Sequence, residues 1–569
     1  MRSRKKVSIV FSMERKIFGL AIVAALSVGC AATSHPARDQ TPEMRDPNAQ
    51  TVIAELALEK GDCRGAAENY AAAAKNGSLN LARRASEVAL ACEHMPAAWQ
   101  SVQRWRAIDP EDKNAATVYG TVALKLYKIP EARTSLAPIL KTISESSDPE
   151  LVALIGLLAD ETDSHAVLAA LDGSLEPQST SPALLAAFGA LALESYDFTR
   201  AERRAQQALE RDEKSITALR LLAQVRALRG DSAGAIQAAR KVMEIDAKGG
   251  AFQLAETLAA LDRMEEARQE LERLRSNEDA SEEIDRRLAL LAFQGGDYPD
   301  AKRRFASLVG RGEATDAAMF YLGDIAVITG DKDAALVAYR QLVNSSLAVA
   351  ARTRAAGLLL DKEDRAGALA LLDNYVVDHP ESSFDLMLAK ASLLAEHGDA
   401  ESGVALLAAA LDRYPKHPSI EYERAVLLER AGKVSESVRA FDNLLADRPE
   451  DPTLMNALGY TLADHNIELS RAESLIRKAL TAMPDSPAVL DSLAWVRLRR
   501  GDSRDAIKTF EKAYSVGRDP EIAAHWGEAL WTSGNQPEAR RVWAAALARH
   551  PDNEALKKTL HKFVKPSAQ

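Results

Sequence analysis

The windows "SPALLAAFGALALESYDFTRAERRAQQALERD", from Ser181, and "SPAVLDSLAWVRLRRGDSRDAIKTFEKAYSVG", from Ser486, are one pattern written twice. Each holds two stretches with apolar residues at helical spacing, separated by a short turn, and so do windows beginning at Ser383 and His417. The pattern returns about every 34 residues, and no other feature limits the fold so tightly. A helical pair of this size cannot bury its apolar face alone, so neighbours must stack and share a continuous core. Small residues sit where such a stack needs them. Gly189 and Gly459 fall midway along a first helix, and Ala201, Ala472, Ala506 and Ala539 take the facing position of the second. Phe441, Phe510 and Trp543 supply bulk one turn later. Pro415, Pro449, Pro484 and Pro551 stop the second helix, because proline lacks the N–H a helix requires.

Between the two helices Gly-Asp recurs, at Gly61, Gly230, Gly296, Gly330, Gly398 and Gly501, with Gly534–Asn535 as a variant. Glycine accepts the left-handed conformation that closes one helix, and aspartate caps the next. Arg229-Gly230-Asp231 and Arg500-Gly501-Asp502 spell an adhesion tripeptide but fall on that turn, and are read as turns. Period, small positions and turns together resemble the tetratricopeptide repeat (TPR). That resemblance implies an all-α TPR solenoid of about fifteen helix-turn-helix units in a right-handed superhelix. The units begin near Pro47, Leu79, Lys113, Pro149, Pro182, Ile216, Lys248, Glu282, Asp316, Val349, Phe384, Pro418, Pro452, Pro487 and Pro520. The unit from Pro149 to Ser181 is the least regular and a place for the stack to bend.

Ahead of the array, Arg15 and Lys16 precede an uncharged run from Ile17 to Val28. That run is shorter than the roughly 20 apolar residues of a bilayer span. It fits the apolar core of a signal peptide, about 7–15 residues. Small residues then lead to Cys30, which resembles the lipobox of bacterial lipoproteins, with Ser27 where leucine is usual. The resemblance implies cleavage before Cys30, a diacylglycerol on its sulfur and, with Ala31 following, sorting to the periplasmic face of the outer membrane. Met13 is an alternative start, because Met13–Cys30 is already a complete signal. The expected organisation is a lipoprotein signal peptide over 1–29 and a lipidated cysteine with a polar, proline-containing tether over 30–48. Divergent N-terminal TPR units follow over 49–181, the regular array over 182–553, and a basic capping helix and tail over 554–569.

A formal charge of −10 argues against a nucleic-acid binder, which shows a basic face. Cys63 opens the second helix of the first unit, and Cys92 lies near the end of the first helix of the next. Those ends share one edge of the stack, so a Cys63–Cys92 disulfide is expected in an oxidising compartment, with two buried thiols as the alternative. Only His94 lies nearby, short of the four ligands of a structural zinc, so no metal is expected. His379, His417 and His550 stand beside unit-ending prolines, where a helix C-terminus favours a partly cationic side chain. The sequence contains no zinc-protease, nucleophile-elbow, phosphate-loop or dinucleotide motif. The chain is therefore read as a non-enzyme without a cofactor.

In this architecture the first helices line the concave side, where peptides and partner helices bind. The register turns Tyr422, Tyr460, Trp495 and Trp531 inward on consecutive units, with Asn456, Asp491, Arg499 and Glu528 as polar neighbours. Aromatics and arginine are common anchors of protein interfaces, which makes this strip the candidate binding surface. The competing role is packing between helices, assigned outright to Trp526 and Trp543.

The C-terminal end carries a further likeness. "NALGYTLADHNIELSRAESLIRKAL" (Asn456–Leu480) has one residue more than a regular unit between Gly459 and Ala472. It is followed by "VLDSLAWVRLRRGDSRDAI" and "DPEIAAHWGEALWTSGNQPEARRVW". Together these resemble the end of outer-membrane TPR lipoproteins of the LbcA type, adaptors of periplasmic carboxy-terminal-processing serine proteases. The resemblance implies a non-catalytic partner that holds such a protease and its substrates, among them peptidoglycan hydrolases. The alternative is a TPR scaffold for an envelope machine, such as a pilus, secretion or exopolysaccharide apparatus.

Overall fold

The computed structural model describes residues 46–144, 148–174, 181–277, 282–550 and 553–564. The signal segment, Cys30 and most of the tether lie outside these residues. Among the described residues there are 31 α-helices and no strand. Thirty of the helices form fifteen consecutive pairs. Their first helices begin at Pro47, Leu79, Lys113, Asp148, Pro182, Ile216, Ala247, Glu282, Thr315, Ala348, Ser383, Pro418, Pro452, Pro487 and Pro520. Each start lies within one residue of the register read from the repeat. The last helix, Glu554–Phe563, packs on the end of the stack through Phe563, whose ring lies 6.0 Å from Trp543 and 6.1 Å from Trp531.

The turn inside each pair has the chemistry that its sequence requires. Gly61, Gly230, Gly296, Gly330, Gly398, Gly501 and Gly534 all have positive φ, between 69° and 92°. Asp62, Asp231, Asp297, Asp331 and Asp399 each accept the backbone N–H three residues on, at 2.9–3.1 Å, which caps the second helix. Arg229 and Arg500, the arginines of the adhesion-like tripeptides, are ion-paired with Glu202 at 2.6 Å and Glu473 at 2.5 Å. At the other end of the unit, the second helices close with caps at Tyr414, Arg448, Met483 and His550. Each cap directly precedes a proline, and steric pressure from the proline ring takes it out of the helical region.

Inside the pair, glycine lets the helices touch. A Cβ at Gly459 would lie 2.6 Å from the Ile476 side chain and 3.1 Å from the Ala472 carbonyl. At Gly189 it would lie 3.2 Å from Arg204 Cβ and 3.4 Å from the Ala201 carbonyl of its own pair, and 2.4 Å from Leu221 of the next pair. Trp543 is fully buried against Gly527, and its Nε1 donates to the Ala524 carbonyl at 3.2 Å. Phe441 and Phe510 are equally buried in the neighbouring units.

Two of the breaks in regularity fall in the first half of the array. The unit starting at Asp148 has a second helix of only eight residues, Ser164–Leu171, continued by a 3-10 turn. The helices Ser232–Ile245 and Ala247–Ala260 are joined by the single residue Asp246, which ends one and caps the other. So sharp a junction needs Gly250, where a Cβ would fall 2.1 Å from Met243 Cα.

The two helical glycines at Gly250 and Gly156 should therefore respond oppositely to alanine. Gly250→Ala places a methyl against main chain and should cost about 1–3 kcal/mol or more. Gly156→Ala, with nothing within 4 Å of the new methyl, should gain up to about 1 kcal/mol from helix propensity. Urea unfolding of the two variants beside the parent chain reads both signs.

Candidate protein-binding groove

The four C-terminal units place the inward strip on the first helices Pro418–Arg430, Pro452–Asp464, Pro487–Arg499 and Pro520–Thr532. These helices present the strip unevenly. Trp495 is only 4% exposed and is enclosed by its neighbours. Its Nε1 donates to Asp464 Oδ1 at 3.1 Å, and its ring lies 4.6 Å from the His525 ring. The Arg499 guanidinium covers the remaining face at 4.6 Å. Asp491, also buried, lies with both carboxylate oxygens 3.0 Å from His525 Nδ1. Trp495 and Asp491 thus pack the boundary between units and do not face an open groove. The register sets their direction, but the depth of cover comes from His525 and Arg499, which the strip reading left out or took for free.

Trp531 is half-buried, stacked on Trp543 at 5.7 Å and edged by Phe563 of the terminal helix. Arg540 lies 5.0 Å over its ring. Glu528, half-buried, accepts from Lys562 of that helix at 3.1 Å. Tyr422 is half-buried with its ring edge-on to Phe441 at 5.9 Å. Tyr460 is half-buried against the same core. Asn456 brings a buried Oδ1 that has no hydrogen-bond partner. Arg499 is the most exposed member of the set. The members of the strip that keep some exposure here are therefore Tyr422, Asn456, Tyr460 and Arg499, flanked by Glu528.

Glu429, Asp464 and His465, absent from the sequence reading, complete the polar lining. Their ligand-type atoms lie within 4.8 Å of one another. Thr461 Oγ1 donates to Glu429 at 3.2 Å and His465 Nε2 lies 3.2 Å from the same carboxylate. Arg499 sits 3.5 Å from Asp464. A cation entering here would compete with the Arg499 charge and with Trp495, so the group is best described as a closed hydrogen-bonded network. Further back on the first helices, burial pushes Glu256 up to about 7, although Arg287 pairs with it and opposes the shift.

At the opposite end of the array, Cys63 and Cys92 form a disulfide with Cα atoms 5.3 Å apart. It pins the first pair to the second. On the chain-entropy account a loop of this length contributes about 3–4 kcal/mol.

Burial opposes a charge on His525, but the Asp491 carboxylate outweighs it and holds the imidazole above its ordinary value. The pair therefore contributes stability that is complete below the unfolded value, about 6.5, and is lost as pH rises through the higher folded value. The C-terminal units should melt at a lower temperature at about pH 9 than at about pH 6, and Asp491→Asn should flatten that dependence. Thermal unfolding followed by tryptophan fluorescence across this range measures the slope in both chains.

The sequence model of the tetratricopeptide repeat matches residues 187–251, 286–352, 353–418, 422–487 and 492–554, together more than half of the chain. A TPR repeat-containing protein of Pseudomonas aeruginosa is 32% identical over 213 residues, which are 37% of this chain. The match spans 36% of the relative's own length. Among solved structures, PilW, described as a widely conserved type IV pilus biogenesis factor, is 21% identical at a TM-score of 0.29. That alignment covers 38% of this chain and all of PilW. A subunit of an APC/C hetero-tetramer aligns over 91% of this chain and 96% of its own, at 13% identity and a TM-score of 0.31.

Proposed function

The chain belongs to the tetratricopeptide-repeat family, and from that premise we propose that it is an adaptor lipoprotein of the outer membrane. Its array holds a periplasmic carboxy-terminal-processing serine protease together with that protease's substrates, peptidoglycan hydrolases among them. TPR arrays generally bind other proteins and perform no chemistry themselves. The observation that supports the finer reading is the run Asn456–Leu480, whose additional residue resembles the LbcA-type adaptors. In the structure that residue falls in a turn with two left-handed positions on either side of Ile467, Asn466 at φ 57° and Glu468 at φ 40°. The irregular turn directly follows the helix Pro452–Asp464, which carries Asn456 and Tyr460.

The mechanism is concentration and orientation. A lipid on Cys30 confines the array to a surface, and the groove holds two proteins that would otherwise meet by diffusion. Tethering of this kind raises effective concentration, and with it avidity, without any new catalytic group.

Two measurements test the proposal. Capture from gently solubilised envelopes, with the full-length chain as bait, should recover a serine protease. Tyr460→Ala/Arg499→Glu should weaken that recovery roughly tenfold or more, the scale of lost interface anchors. Both substitutions leave the buried Trp495 side chain itself in place, and the melting temperature of the variant beside the parent reads whether the fold is kept. Recovery of export or pilus components with no protease would replace the adaptor with the scaffold. For the anchor, Cys30→Ser should shift the chain from the envelope to the soluble periplasmic fraction, and a variant that still pellets with the membrane would sink the lipidation step.

A further inference from the structure

The array winds far enough that its early units touch its late ones. Arg64 Nη1 donates to the Asp412 carbonyl at 2.7 Å, and Glu93 lies 3.3 Å from His417 Nε2. The Asp485 backbone N–H donates to the Tyr196 carbonyl at 2.9 Å, and its carboxylate accepts from the Phe198 N–H at 3.2 Å. Asp262 receives both Arg518, at 2.9 Å, and Arg549, at 2.6 Å. Between these points the Tyr127 hydroxyl is hydrogen-bonded within the early units, 2.6 Å from His165 Nδ1, with the charged groups of Asp451, Glu450 and Arg448 on the late side of it. The contacts follow one rule. The early edge contributes the turns inside its pairs, and the late edge contributes the junctions between its pairs, in the same order along both.

Four members of the early edge share a second property. Glu93, Tyr127, Tyr196 and Asp262 occupy the left-handed turn position that glycine fills at Gly61, Gly230, Gly296 and Gly330. Their φ values are 51°, 57°, 55° and 65°. Side chains in this region are uncommon, and bulky ones such as tyrosine pay steric strain that glycine avoids. Such strain persists where surrounding structure holds it, and it gathers at functional positions. Among the described residues, Glu363 and Asn466 take this position elsewhere without glycine. Four of the six exceptions therefore line one boundary.

That boundary is polar and incompletely satisfied. His417 Nδ1, Arg448 Nη2 and His94 Nε2 are buried there or beside it with no hydrogen-bond partner. Val516, packed on the apolar core of the early units, is its apolar contact. A permanent core boundary has the opposite character. Polar contacts of this composition are typical of interfaces between domains that move relative to one another.

We propose that this boundary is a latch: the turn-tip residues of the early units hold the late units, closing the spiral, and their release opens it and widens the groove. The strain at Glu93 and Asp262 is retained because a glycine there would carry no side chain to reach His417, Arg518 or Arg549, whereas Tyr196 holds Asp485 through its backbone carbonyl. A protein partner that binds the widened groove more tightly than the closed one shifts the balance toward the open form, as any differential ligand must. That last step rests on the adaptor reading, whereas the latch itself does not.

Replacing the strained residues by glycine separates the latch from an incidental contact. Glu93→Gly/Asp262→Gly relieves two turns but removes the groups that reach His417, Arg518 and Arg549. In full-length chain the expected result is an increased radius of gyration in small-angle scattering and loss of hydrogen-exchange protection at the Asp485 amide, with no fall in melting temperature. In the parent chain the same amide should already exchange faster than those within the helix Pro487–Arg499. An Asp485 amide as slow as that helix, together with an unchanged radius in the variant, would overturn the latch. A charge exchange guards against misfolding of the glycine variant. Asp262→Arg should open the spiral, and Asp262→Arg combined with Arg518→Glu/Arg549→Glu should close it again. Failure of the combined variant to restore the radius also counts against the latch. None of these readouts involves a partner, so failed protease capture leaves them intact.

Discussion

The contact on which this molecule depends is the approach of the two helices within each pair. With no side chain at Gly459, the Ile476 side chain and the Ala472 carbonyl come within the space a Cβ would occupy. That closeness allows Phe441, Phe510 and Trp543 to be buried completely in units that each contribute only two helices. Dispersion falls steeply with separation, so a few tenths of an ångström at the crossing decide whether the large side chains find partners on all sides. Once the pair is fixed, its outer face can be buried only by the next pair. The stacking of pair on pair and the terminal helix over Trp531 and Trp543 both follow.

Much of this was legible in the chain. The period, the small residues at crossings, the Gly-Asp turns and the closing prolines each answer to one local rule, and local rules can be read from neighbouring residues. Hence every first helix begins within a residue of its expected place. The groove was legible in direction only. Helical spacing states that Trp495 faces inward, but whether it meets water depends on His525 one unit away and on the conformation of Arg499. Two inward aromatics with the same register position thus diverge: Tyr460 remains half-open and Trp495 is sealed.

The contact between early and late units was not legible, for a different reason. Glu93 and His417 are separated by 324 positions, and Asp262 and Arg549 by 287. No periodicity links them. A trace did exist in what the repeat omits, since Glu93, Tyr127, Tyr196 and Asp262 stand where the pattern calls for glycine. Read alone, each looks like drift in a degenerate repeat. Only the coiling of the array shows that these positions share an edge. His417 illustrates the same limit: beside Pro418 it suggested a helix-end role, and in the fold it faces the Glu93 carboxylate.

A stack of repeats is ordinarily close to one-dimensional, with each unit energetically aware only of its neighbours. The contact between turns changes that. It makes units some 260 to 350 positions apart share interactions, so the pair holding Asp262 is joined to the junction holding Arg518 and to the end of the array. The groove lies on the same late units. Its polar lining, Glu429, Asp464, His465 and Arg499, is held by bonds between successive first helices, and a change in the pitch of the spiral would act on them. An open array in which every unit answers to its neighbours alone has a groove whose shape is fixed locally. In the proposed latch, groove shape is tied to contacts on the opposite edge, which gives a binding surface and a distant set of strained turns a common coordinate.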